Sequence, residues 1–205
     1  MTTGTSLTAS ADSALVEGIP RWKAWAAVAM FTTSALALTC APILMPESYS
    51  WLSHTTSESA AQGLSGAWLA RLGFLLFGLG VLWVGNAIGD RWGTWGKLAH
   101  LGFGVLMLAT AAFSHRPFEA GVEFDRFEDT LHSIAATAMG FAFAFGVVAV
   151  ALRRQPPRWQ VGDVIAVAAS IVIPAGMAMS QYPGPLQRFM FLVAYVWYSI
   201  EVFRP

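Results

Sequence analysis

Six long apolar runs dominate the sequence and restrict the folds that it can adopt. A helix that crosses a bilayer needs about 20 predominantly apolar residues. The runs cover residues 24–44, 67–88, 96–114, 130–152, 161–180 and 186–203. Little chain remains between them for a domain outside the membrane. The sequence therefore predicts an all-α polytopic membrane protein, with one six-transmembrane-helix bundle over residues 21–205.

Composition favours helices in lipid over a soluble domain or a β-barrel. Only 12% of the residues are charged, whereas soluble domains carry about 25%. A strand of a membrane barrel alternates apolar and polar residues, and runs such as "FAFAFGVVAVAL" do not. The net charge is zero, so the chain has no electrostatic footprint for nucleic acid, and no nucleic-acid partner is expected.

The first twenty residues, "MTTGTSLTASADSALVEGIP", are small, polar and acidic. A signal peptide would open with positive charge and run straight into its apolar core. Here Arg21 and Lys23 come late, just before a full-length apolar run. We therefore interpret residues 1–20 as a disordered polar tail and the first run as an uncleaved anchor.

Basic residues cluster in alternate loops, which predicts how the bundle is oriented. Lysine and arginine in short loops mark the cytoplasmic side of a membrane. With six spans, the basic residues that share one side are Arg21, Lys23, Arg91, Lys97, Arg153, Arg154, Arg158 and Arg204. The opposite loops contain only Arg116 and Arg126. The prediction is a multi-pass protein of the cell membrane, surrounded by membrane lipids, with both termini cytoplasmic.

The outer stretch "HRPFEAGVEFDRFEDTLHS" (residues 115–133) combines carboxylates and histidines. Residues three or four apart share a helix face, so Glu128 and Asp129 are both expected to reach His132. A carboxylate beside a histidine fixes its tautomer and raises its basicity, which suits a general base or a metal ligand. The structural alternative is that both acids complement the positive end of the helix macrodipole.

The first outer loop contains a second pair of this kind. "SHTTSESAAQG" is expected to form a short interfacial helix from Ser53, with His54 and Glu58 four residues apart. Together with Asp129 and His132, this pair makes a hypothetical site for zinc or iron. The spacing matches neither H-E-x-x-H nor a C-x-x-C motif.

Other ionisable residues lie near the ends of the apolar runs. Arg71 and Arg188 are candidates for gripping an anionic lipid headgroup, and the alternative is that they snorkel to the interface. On the inner side, Asp163 is interpreted as a helix-dipole partner, while His100 and Glu201 are expected to be wetted. The middle of the bilayer is predicted to be nearly bare of polar groups, which argues against a channel or a proton-coupled pump.

The segment "ESYSWLSHTTSESAAQGLSGAWLARLGFLLFG", followed by a fourth run entered through "LHSIAATAMGF", resembles the bacterial six-helix membrane family catalogued as domain of unknown function 998. The family pattern Tyr-Ser-x-x-Ser-x-x-x-Ser-Glu is matched by Tyr49, Ser50, Ser53, Ser57 and Glu58. Its fourth-helix histidine corresponds to His132. The resemblance implies a six-helix architecture and this choice of site residues, without an activity.

Two functions fit these observations. The first is a non-catalytic lipid-binding, sensing or accessory module, whose polar outer face holds a headgroup or a membrane-protein partner. The alternative is a membrane-embedded hydrolase, with or without a metal, that acts on a lipid or lipid-linked substrate at the outer leaflet. In that case Ser57, Glu58 and His132 would be the catalytic residues.

Overall fold

The computed structural model describes residues 19–154 and 158–204 and contains six long helices. They are α1 (Arg21–Cys40), α2 (Ala67–Ile88), α3 (Gly93–Ala112), α4 (Arg126–Arg153), α5 (Val161–Met179) and α6 (Pro183–Phe203). Short 3-10 helices follow α1 and α2, and a single-turn helix forms over Thr56–Ser59. No strand occurs within these ranges, so the all-helical prediction is confirmed. The predicted polar tail lies outside them, except for Ile19 and Pro20.

Four helical segments are long and apolar enough to cross a membrane. Among the described residues they are Arg21–Leu44, Ala67–Ala112, Arg126–Arg153 and Val161–Met179. The second has 46 residues and contains both α2 and α3. Its direction reverses at Gly93, whose φ of +70° is a conformation that glycine adopts without steric penalty. Helices with the length and composition of membrane spans are thus confirmed, and α6 is not one of these four segments.

Local sequence explains where several helices begin. The side chain of Asp125 caps α4, because it accepts hydrogen bonds from the backbone N–H groups of Phe127 and Glu128. Gln160 and Asp163 form a reciprocal capping box at the start of α5. Pro183 opens α6 at a position where its missing N–H needs no helical partner.

Neighbouring long helices pack antiparallel and close into a ring in the order α1–α2–α3–α4–α5–α6. Glycines allow close approach between α2 and α3: Gly78 packs against Leu108, and Gly85 packs against Leu101. The circle of helices closes between α6 and α1, where the aromatic side chains of Phe203 and Trp25 have centroids 5.1 Å apart. We call the end with Arg21, the α2–α3 turn and Phe203 the terminal end. The opposite end, with residues 45–66, 113–125 and 180–182, is the loop end.

Aromatic side chains fill the inside of the ring, and apolar side chains also cover its outside. Phe77 packs against Phe103 and Tyr195, with ring centroids 5.4 Å and 4.1 Å apart. On the outside, Phe141 is 72% exposed and Ile171 is 63% exposed. An exterior of this kind is typical of helices that face lipid.

The buried interior contains polar pairs, which corrects the expectation of a nearly bare midplane. Ser34 Oγ donates to the carbonyl of Gly73 and lies 2.6 Å from Tyr195 Oη. His100 Nδ1 lies 2.8 Å from Tyr198 Oη. The expectation missed these pairs because a tyrosine in an apolar run brings its hydroxyl into the core, where it finds a partner.

Candidate functional site

The first loop covers the loop end with a tightly capped helical turn. Thr55 Oγ1 accepts from the N–H of Glu58 at 3.2 Å, and Glu58 Oε2 accepts from the N–H of Thr55 at 2.6 Å. Because Thr55 supplies this capping box, the helix begins at Thr56 rather than at the predicted Ser53. The Glu58 carboxylate is therefore engaged in holding the turn.

This contact separates a structural role of Glu58 from a catalytic one. Glu58→Ala is expected to lower the stability of the turn by about 1 kcal/mol, because a capping interaction is lost. Glu58→Gln is expected to retain it, since glutamine also completes a capping box. Hydrogen exchange over residues 55–59 measures both effects. If Glu58→Gln proved as damaging as Glu58→Ala, the carboxylate charge itself would be required, as the hydrolase hypothesis demands.

Arg71 holds the C-terminal side of the same turn. Its Nε donates to the carbonyl of Ala60 at 3.1 Å, and its Nη2 donates to the carbonyl of Ala61 at 3.2 Å. Backbone carbonyls after a helical turn have no helical partner, so the guanidinium satisfies them. Headgroup binding by Arg71 stays a prediction.

Arg188 of α6 ties the first loop to the bundle. Its Nη1 donates to the carbonyls of Trp51 and His54 at 3.1 Å each, and its Nη2 donates to Tyr49 Oη at 2.8 Å. The guanidinium also lies 4.3 Å from the ring centroid of Trp51, as a cation–π pair. Burial raises the pKa of Tyr49, and Arg188 offsets this only in part, so the phenol stays protonated. Headgroup binding by Arg188 likewise stays a prediction.

His54 is held within this loop. Its Nδ1 accepts from the N–H of Ser50 at 2.8 Å. The imidazole also packs against Tyr49 and Phe118, at centroid distances of 5.2 Å and 4.5 Å. The imidazole is therefore oriented by the first loop together with Phe118 of the segment between α3 and α4.

The expected contact of Glu128 and Asp129 with His132 does not form. Glu128 Oε1 accepts from the N–H of Ser114 at 2.7 Å, and Asp129 Oδ1 accepts from the N–H of Arg116 at 2.9 Å. Helical spacing alone predicted the pairing, but α3 ends at Ala112 and leaves these loop N–H groups without helical acceptors. The two carboxylates satisfy them instead.

His132 is 2% exposed and anchors the end of α3. Its Nδ1 donates to the carbonyl of Phe113 at 2.8 Å. In the neutral tautomer this leaves Nε2 with a bare lone pair, and Nε2 has no hydrogen-bond partner among the residues described. The hydroxyl of Ser57 lies 3.4 Å from Gln187 Nε2. Among the described residues, no side-chain hydrogen bond joins His132 to Ser57 or to Glu58.

The predicted metal ligands are not assembled. Across residues 19–154 and 158–204, no group of three or more His, Cys, Asp or Glu side chains is arranged to hold a metal ion. His54, Glu58, Asp129 and His132 are each held by the contacts described above. Binding of zinc or iron stays a prediction to which this arrangement adds no support.

A cavity of about 400 Å³ lies between α3, α4, α5 and α6. We call it the chain cavity. Its lining is mostly apolar and includes Phe103, Met139, Phe143, Pro174, Met177, Met190 and Phe191. The polar side chains in the lining are Thr137, Ser170 and Gln187. The exposed residues Phe141 and Ile171 also border it, so the cavity opens on the apolar outer surface of the bundle.

Two features of the helices create this space. Pro174 lacks an N–H and cannot complete the α5 hydrogen-bond ladder, while Ser170 Oγ bonds back to the carbonyl of Ala166 at 2.8 Å. On α4, Gly140 leaves the opposite wall without a side chain. A Cβ placed on Gly140 would meet no atom within 4 Å.

Gln187 connects the loop end of the chain cavity to the capped turn. Its Oε1 accepts from the N–H of Thr56 at 2.7 Å and also from Thr56 Oγ1. Its Nε2 lies 3.4 Å from Ser57 Oγ. Gln187 is absent from the site residues predicted by sequence, although a glutamine at the start of an apolar run is itself a signal.

A buried ionic cluster holds the terminal end. Arg154 bonds to Asp163 and, at 2.9 Å, to Glu201 Oε1. Trp197 Nε1 donates to Asp163 Oδ1 at 3.0 Å, and Trp92 Nε1 donates to Glu201 Oε2 at 3.3 Å. Asp163 and Glu201 are 0% and 4% exposed. The expectation that Glu201 and His100 contact water is therefore wrong, because both side chains are buried.

Antiparallel helices with an apolar exterior and segments long enough to cross a bilayer are the features of a helical membrane protein. The capped loop and the chain cavity are its distinctive features. The chain belongs to the family described as "Protein of unknown function (DUF998)", whose profile matches residues 26–203. This confirms the family resemblance noted in the sequence. No curated protein and no solved structure matches the chain.

Proposed function

We propose that this protein is a non-catalytic lipid-binding module of the cell membrane, in which the chain cavity holds one lipid chain. The observation that carries the proposal is the cavity itself, with its apolar lining and its opening between Phe141 and Ile171. Its volume of about 400 Å³ is within the range of small-molecule sites. Two chains of a bilayer lipid would exceed it.

We further propose six spans with both termini cytoplasmic. The antiparallel ring supports this count, because each long helix runs opposite to its neighbours. The basic residues gather at the terminal end, as the rule for cytoplasmic loops requires. In this orientation the chain cavity, which reaches Gln187 near the loop end, lies in the outer half of the bilayer.

The position of Gly140 provides a direct test. Gly140→Leu places a side chain in open space, so it is expected to fill the cavity while leaving the helix intact or slightly more stable. The variant should lose most of the labelling that a photoreactive single-chain lipid gives to the wild-type protein in nanodiscs. Mass spectrometry of labelled peptides from α4 and α5 measures the loss.

Gly102→Leu is the matched control. Gly102 is also helical, and a Cβ placed on it would meet no atom within 4 Å, but it does not border the chain cavity. This variant should be labelled like the wild type. Equal labelling of the wild type and Gly140→Leu would refute lipid binding in this cavity.

The hydrolase alternative has one supporting observation, the bare Nε2 of His132. In this tautomer the unprotonated Nε2 could accept a proton, as the nitrogen of a general base does. However, Glu58 is occupied by the capping box, and Ser57 contacts Gln187. The non-catalytic module therefore receives the better support.

A further inference from the structure

We propose that Gln187 recognises the ligand's head, and that the ligand is an acyl lipid whose carbonyl accepts a hydrogen bond from Gln187 Nε2. This inference rests on the proposed function, because it names the class of lipid that the chain cavity takes. It rests on three observations: the depth of the cavity, the hydrogen bonding of Gln187, and the link from Gln187 to the capped turn.

The depth of the cavity matches one acyl chain in one leaflet. On α4 the lining runs from Ala136 to Ala144. At 1.5 Å per residue this span is about 12 Å, less than half of a hydrocarbon core of about 30 Å. Gln187 borders the cavity and lies in the first turns of α6, close to the loop end. A chain in the cavity would then place its carbonyl near the membrane interface, where acyl lipids carry theirs.

The hydrogen bonds of Gln187 leave a donor for such a carbonyl. Its Oε1 already accepts twice from Thr56. Its Nε2 has two N–H groups, and its contact with Ser57 Oγ is long, at 3.4 Å. Gln187 lines the apolar chain cavity, where an amide N–H without an acceptor is unfavourable. A ligand with a carbonyl satisfies it, whereas a plain alkyl chain does not.

The same amide connects the cavity to the family motif. A carbonyl bound at Nε2 would polarise the amide and strengthen the bonds that Oε1 accepts from Thr56. Ligand binding is therefore expected to slow hydrogen exchange over residues 55–59. The first loop would then report on the occupant of the chain cavity.

Two substitutions separate the donor from the acceptor. Gln187→Glu keeps an oxygen for Thr56 but removes the N–H donors, while Gln187→Leu removes both. The probes are a diazirine analogue of methyl palmitate, a diazirine alkane of equal length, and a phosphatidylcholine with the same diazirine on one chain. The neutral ester avoids repulsion by the new carboxylate. Labelling and hydrogen exchange are measured in nanodiscs.

The wild type should label with the ester about tenfold more efficiently than with the alkane, as expected for one hydrogen bond. Gln187→Glu should abolish this preference and the slowing of exchange by the ester, while the ligand-free exchange at residues 55–59 stays as slow as in the wild type. Gln187→Leu should also lose the preference, and in addition its ligand-free exchange at residues 55–59 should be faster than in the wild type. Labelling by the phosphatidylcholine arm would identify a bilayer lipid as the source of the acyl chain, and labelling by the ester alone would identify a single-chain lipid.

The failures are distinguishable. If Gly140→Leu does not reduce labelling, lipid binding in the cavity fails, and this inference fails with it. If Gly140→Leu blocks labelling but Gln187→Glu keeps the preference for the ester, the cavity binds a chain and only the role of Gln187 is overturned. An equal response of the wild type to ester and alkane would overturn it as well.

Discussion

Asp163→Ala is expected to lower the free energy of unfolding by about 3 kcal/mol, because it removes one carboxylate from a buried ionic cluster. Asp163 is fully buried and holds Arg154 and the Trp197 indole. Without it, the N–H of Trp197 loses its acceptor, and Arg154 retains Glu201 as its remaining carboxylate partner. Denaturant titration in mixed micelles measures the change.

The exposed pair at the same end provides the control. Asp90 pairs with Lys97 at 2.8 Å, but its side chain is 93% exposed. Asp90→Ala is therefore expected to change the stability by less than about 1 kcal/mol. Equal effects of the two substitutions would mean that the Arg154 cluster does not hold the helices together.

His132→Ala is expected to destabilise the bundle by about 3 kcal/mol. The substitution opens a cavity at a side chain that is 2% exposed, and it leaves the carbonyl of Phe113 without its donor. His132→Asn should recover part of the loss, because an asparagine amide can donate from nearly the position of Nδ1. Thermal unfolding in detergent compares the variants.

Phe127→Ala is the control on the same helix. Phe127 is 71% exposed, and a change there is expected to stay within about 0.5 kcal/mol. If His132→Ala were as stable as the wild type, the structural role of His132 would be wrong. A site at its bare Nε2 would then become the better explanation for a buried histidine.

Apolar run length predicted the helices well. The runs 67–88 and 161–180 match α2 and α5 to within one residue, because a lipid-facing helix must remain apolar over its whole length. The start of α4 was placed at residue 130, whereas the helix begins at Arg126, where Asp125 caps it. Polar capping residues lie outside the apolar signal, so the run underestimates the helix.

The site was less predictable, because its contacts join residues far apart in sequence. Asp163 lies 38 residues before Glu201, and Thr56 lies 131 residues before Gln187. Helical spacing relates only residues within a turn. Helical spacing also does not predict which donor a carboxylate binds. Glu128 accepts a hydrogen bond from the N–H of Ser114, whereas the spacing predicted a contact with His132. The chain cavity depends on how four helices pack together, and Pro174 and Gly140 do not predict that packing from the sequence alone.

The opening between Phe141 and Ile171 determines which concentration scale sets the occupancy of the chain cavity. In the proposed membrane orientation, a molecule that enters there would pass from hydrocarbon to hydrocarbon and would not be transferred through water. Exchange would then follow the mole fraction of the lipid in its leaflet and not its aqueous concentration. Changing membrane composition at constant total lipid would titrate the protein, while diluting the whole sample would leave occupancy unchanged.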